Sequence, residues 1–164
     1  MITTRFMVEP VVAEYITAKY YDETVGVVRF PASLDICLVI RDLVSLRPED
    51  AGIDRGNLEI ALPDTREGRA SLGKNPQRYN YISERAAKIL NKRMKLMLWA
   101  DLHHTMDENK HLRGIQFKDS VYMFMTRYGI QSLSEDALLK NYQRWRDDLR
   151  RSQKRGYTRR GRNR

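Results

Sequence analysis

Lys140, Asn141, Gln143 and Arg144 form a short series whose side chains suit one kind of chemistry. Asparagine and glutamine amides can bond adenine edges, a guanidinium can read guanine, and a lysine ammonium neutralises phosphate. The four residues flank Leu138, Tyr142, Trp145 and Leu149, which are spaced by four, three and four. On a helix that spacing gathers the apolar residues on an inward face and leaves the polar four, with Asp147, outside it. Immediately beyond come Arg150, Arg151, Lys154, Arg155, Arg159, Arg160, Arg162 and Arg164, with no acid among them. They account for +8 of the net charge of +9, so residues 1–149 together carry only +1. A segment with so few apolar residues cannot offset its ordering entropy by burial, so it is expected to be disordered when free. Its complement is a polyanion: DNA, RNA or, less readily, an anionic membrane surface.

Other chemistries find less support. The first predicted strand is not followed by GxGxxG, and no GxxxxGK[ST] occurs, so a phosphate-cradling glycine loop is not expected. His103, His104 and His111, with Asp101, Asp107 and Glu108, are the best metal-ligand cluster, and His104 and Glu108 would share a helical face. They match neither HExxH nor a finger spacing, and a calcium loop starting at Asp107 would place Leu112 where glycine is required. These are read as polar residues at a helix end, with no metal and no cofactor expected. No nucleophile, base or carboxylate pair converges in the sequence, so no catalytic residue is assigned and the chain is read as non-enzymatic. The single cysteine, Cys37, lies in the apolar run Ile36–Ile40 and is expected to be a buried thiol.

The elements that position these groups follow from periodicity. A helix is expected from Pro10 to about Tyr21, and a strand over Thr24–Phe30 closed by Pro31. Another helix, capped by Ser33, should run to Arg47, with a second strand over Asn57–Leu62. Pro63–Tyr81 reads as a long loop. Its Arg66, Arg69, Lys74 and Arg78, interleaved with Tyr79 and Tyr81, form either a second nucleic-acid surface or a solvated loop anchored by its tyrosines, the second being preferred. The longest helix is expected from Ser83 to about Met106. Leu96 and Trp99 open a second apolar sector on it, suited to the N-terminal patch or to a second subunit. Phe117, Val121, Phe124, Met125 and Tyr128 mark a further helix, broken at Gly129–Ile130. Ser132 and Glu135 fit a capping box for the last one.

The fold expected is mainly α, of the α+β kind. It comprises a small α/β module (1–62), a linker loop (63–81), a three-helix domain holding a helix-turn-helix-like pair (82–149) and the basic tail (150–164). The longest apolar run falls short of the roughly 20 residues of a membrane span, and Met1–Thr17 lacks a signal-peptide pattern, so a cytoplasmic location is expected.

Tyr128-Gly129-Ile130, a short polar link and then Leu138-x-x-x-Tyr142-x-x-Trp145 resemble the helix-turn-helix segments of transposase-like and phage regulatory proteins, over residues 117–146. The resemblance implies a DNA-binding regulator or accessory factor of phage or mobile-element type, acting in transcription regulation. Asn141 and Arg144 would then be at the centre of contact, because Glu135 and Asp136 make the helix start acidic. The alternatives are an RNA-binding ribonucleoprotein component, and a protein-interaction or self-assembly module whose basic tail localises it.

Overall fold

Helix-favouring residues dominate residues 84–113, and Leu90, Met94, Leu98, Leu102 and Met106 recur at four-residue spacing along them, all fully buried. That stripe makes this segment the axle on which the rest packs. The computed structural model describes residues 1–52, 55–62 and 74–161, the last seven of these by their backbone. In chain order the elements are β1 (Thr3–Phe6), α1 (Pro10–Tyr20), β2 (Tyr21–Asp22), β3 (Val27–Val28), α2 (Asp35–Leu43), β4 (Ser45–Leu46), β5 (Leu58–Ala61), β6 (Tyr79–Tyr81), α3 (Glu84–Arg113), α4 (Phe117–Tyr128) and α5 (Glu135–Gly161). The protein is therefore mainly helical with a minor β component.

The strands form a four-stranded sheet of order β1-β5-β3-β2 and a β4-β6 pair. β1 runs antiparallel to β5, with Phe6 opposite Leu58, and β3 lies parallel to β5 with Val28 opposite Ile60. Phe6, Val28, Leu58 and Ile60 are buried beside Val11, Val12, Tyr15 and Ile16 of α1. α1 in turn packs on both α3 and α4, so one continuous core joins the strands to the C-terminal helices through to Tyr142.

Several expectations change in detail. The strand expected over Thr24–Phe30 shrinks to Val27–Val28, because residues 23–26 turn back to β2, with Asp22 accepting from the Thr24 amide at 3.0 Å. β1, β4 and β6, not foreseen as strands, are short and owe their existence to long-range pairing, and β4 (Ser45–Leu46) takes the place of the last turn of the helix expected to run to Arg47. α2 begins at Asp35 after Leu34, without a side-chain cap from Ser33. α3 continues beyond Met106 to Arg113 and stops at Gly114 in the left-handed region, φ 67°. α4 ends the same way at Gly129, φ 60°. A side chain with a Cβ is strained in that conformation, so glycine sets both helix ends.

Candidate nucleic-acid interface

α3, α4 and α5 assemble the region expected to meet nucleic acid. Leu138 and Tyr142 are fully buried between α3 and α4, each contributing about 1.5–3 kcal/mol by leaving water. The start of α5 is set by Ser134, whose Oγ accepts from the Ala137 amide at 3.2 Å. Ser132, expected in that capping role, instead donates from Oγ to Glu14 Oε2 of α1 at 2.8 Å. The same carboxylate oxygen accepts from the Gln131 and Ser132 amides at 3.1 and 3.3 Å. Glu14 thus fixes the α4–α5 link from the far end of the sequence.

Asn141 does not have the exposure expected of it. It is half-buried, and its Oδ1 lies 2.8 Å from His103 Nε2 on α3. His103, expected near a helix end, is buried well inside the longer α3 and stacks on Trp145 with ring centroids 4.4 Å apart. Burial lowers the imidazole pKa below its ordinary value against the opposing effects of the Asn141 bond and the Asp107 charge. The ring is therefore neutral near pH 7, and an imidazole N–H donates to the Asn141 carbonyl. Beside it the Tyr142 hydroxyl donates to Asp107 Oδ1, and burial together with this bond pushes the phenol pKa upward.

The other proposed readers remain on the surface. Lys140 is exposed and pairs with Asp136 at 2.7 Å. Gln143 and Arg144 are exposed, and among the described residues neither makes an ion pair. Leu149, expected on the inward stripe, is 44% exposed. The reason is geometric: α4 has twelve residues, and an antiparallel α5 outruns it once its own first twelve, ending at Arg146, are used. Every position from Asp147 to Lys154 is exposed.

The basic segment expected to be disordered instead extends α5 to Gly161. Low burial argues against independent folding, but a helix already nucleated by residues 135–146 propagates at little cost through arginine, lysine and glutamine, all good helix formers. Arg150 and Arg151 project from this extension, as does Lys154; Arg150 lies 3.8 Å from Asp147. Arg155, Arg159 and Arg160 belong to the helix by backbone alone, and Arg162 and Arg164 lie outside the described residues.

Two cations not singled out in the sequence join this region. Lys110 Nζ sits 5.4 Å from the centroid of the Phe117 ring, and Arg146 Cζ sits 5.0 Å from the same centroid. The loop residues are otherwise engaged where they are described. Lys74 Nζ donates to the Asp42 and Val44 carbonyls at the end of α2, at 2.7 and 2.6 Å, while Tyr79 and Tyr81 of β6 pair with Leu46 and Ser45 of β4. Arg78 is exposed, whereas Arg66 and Arg69 lie outside the described residues.

Elsewhere, Asp101 on α3 accepts from Lys19 Nζ at 2.8 Å, Tyr128 Oη at 2.8 Å and Tyr15 Oη at 3.1 Å. Burial alone would raise its carboxyl pKa, but the bonds from Lys19, Tyr128 and Tyr15 and the lysine charge bring it below the usual carboxylate value. Tyr128 is correspondingly pushed up to about 12, by burial first and the Asp101 bond second. The network ties α1, α3 and α4 together. His104 approaches Glu108 only to 4.0 Å, and among the described residues no group of three or more histidine, cysteine or acidic side chains is placed to hold a metal ion. No helix of the described residues is long and apolar enough to cross a membrane. Comparisons with protein-family models, curated proteins and solved structures returned no match.

Proposed function

We propose that the protein is a non-enzymatic DNA-binding protein, of a regulator or accessory type, whose contact element is the outer face and free extension of α5. The observation that carries this reading is the change in α5 at Arg146: the helix is packed before it and exposed at every described position from Asp147 to Lys154, where the chain becomes basic. From Asp147 to Gly161 the extension is about 22 Å long at 1.5 Å per residue. A single helix about 10–12 Å across fits the roughly 12 Å major groove of B-DNA, whereas the deep, narrow major groove of an RNA duplex excludes it.

Gln143, Arg144 and Arg151 are the base- or phosphate-facing residues of this arrangement, and Asn141 holds the helix on the body. Electrophoretic shifts with duplex DNA, single strands and structured RNA at two salt concentrations test the reading. Duplex DNA should win, with affinity falling steeply as salt rises. Equal affinity for all three at both salts, or preference for structured RNA, would remove DNA as the partner.

A second reading rests on α3, where Ile89 and Leu96 stand 40% and 53% exposed, one heptad apart on the same face. They fit self-association through α3. Light scattering should then show a dimer that Leu96→Glu converts to monomer.

A further inference from the structure

Resting on the DNA-binding reading, we infer that Lys110 and Arg146 form a second phosphate-binding point on the body, separate from the free extension of α5. The two come from different helices, α3 and α5, and both are held against Phe117 of α4. With each charge within 5.4 Å of one ring centroid, they lie at most about 10 Å apart, roughly one Debye length at 0.1 M salt. Arg146 also lies over Tyr142, 5.6 Å from its centroid, and Lys110 Nζ donates to Gln116 Oε1 at 3.3 Å.

Of the neighbouring carboxylates, Asp107 accepts from the Tyr142 hydroxyl, Glu108 lies 3.3 Å from Arg113, and Asp147 lies 3.8 Å from Arg150. Among the described residues neither cation makes an ion pair. The ring faces orient the two cations without neutralising them, since the aromatic quadrupole attracts a cation but carries no net charge. Two like charges held at most about 10 Å apart repel, and backbone phosphates bound beside them relieve that repulsion.

Position then connects the pair to the rest of the interface. Arg150 lies one turn beyond Arg146 and Lys154 one turn beyond that, so Arg146, Arg150 and Lys154 share a face of α5 with Gln143 one turn before them. Lys110 therefore extends one cationic face of α5 onto α3. The backbone of a duplex following this face meets the body at Lys110–Arg146 and the extension at Arg150 and Lys154.

Titrating salt against duplex-DNA affinity for the full chain tests the inference. Lys110→Gln should lower the log-log salt slope by about 0.9, and Lys110→Gln with Arg146→Gln by about 1.8, one phosphate contact each. Arg146→Lys, which keeps the charge, should leave the slope unchanged, and thermal melts monitor folding of every variant. If the protein binds duplex DNA and Arg151→Gln lowers the slope while folded Lys110→Gln does not, the second contact point is overturned and the DNA-binding reading stands. If the unmodified protein binds no nucleic acid, both are overturned.

Discussion

α3 and α5 are nearly equal in length, thirty and twenty-seven residues, yet their surroundings differ completely. α3 has a buried residue at every turn from Ala86 to Asn109 and touches α1, α2 and α4. α5 packs through Leu138, Tyr142 and Trp145 and then leaves its neighbours behind. Two long helices in one chain are thus held differently: the first along its length by what surrounds it, the second through its first three turns, with every described position from Asp147 to Lys154 exposed. Helix length alone says nothing about which role applies; the position of the last buried residue does.

The contrast can be broken most severely on α3. Leu98→Ala, at a fully buried position, should destabilise the protein by about 2–5 kcal/mol in urea denaturation. The same truncation at Leu149, on the exposed part of α5, should cost less than about 0.5 kcal/mol. Comparable losses at the two sites would mean that the extension of α5 is packed after all. Asp101→Asn removes the charge shared by Lys19, Tyr15 and Tyr128 and should cost about 1–3 kcal/mol at pH 7. Because the folded carboxyl pKa is lowered, the Asp101 contribution is complete above the unfolded value of about 3.9 and is lost as pH falls through the folded value. The variant should therefore show a shallower acid loss of stability.

Ser134→Ala tests where α5 begins and should cost about 1 kcal/mol, the usual effect of losing an N-terminal cap. Ser132→Ala should leave the cap intact and weaken only the tie to Glu14. The smallest effect concerns His103. Its pKa is lower in the folded state, so its neutral form is favoured there, and stability should decline as pH drops from about 6.5 through the lower folded value. His103→Gln, still able to bond Asn141, should flatten the curve in that window, as chemical denaturation at stepped pH would show.

Helical periodicity made α1, α4 and the buried part of α5 legible, because apolar residues three and four apart leave few other ways to hide. The short strands were harder. β1 and β6 have four and three residues, and nothing local marks them apart from the partners they find far along the chain. The site was half legible. Residue types correctly put Gln143, Arg144, Arg150, Arg151 and Lys154 on the surface, but Asn141 and Leu149 were placed by helical phase alone. Phase cannot tell that His103 faces Asn141, or that α4 is too short to cover Leu149. Lys110 and Arg146 escaped notice because their shared ring, Phe117, lies on a third helix.

The carboxylate of Glu14 reaches residues 117 and 118 positions away along the chain. During synthesis, α1 is finished more than a hundred residues before the α4–α5 link exists, so these bonds cannot form until that link has emerged. Contacts of such wide separation close late and favour all-or-none assembly. A fragment beginning at α3 would also lack Tyr15, whose ring packs against Tyr128 with centroids 5.0 Å apart. The packing of α4 and of its link to α5 is thus completed by α1, which precedes them by more than a hundred positions.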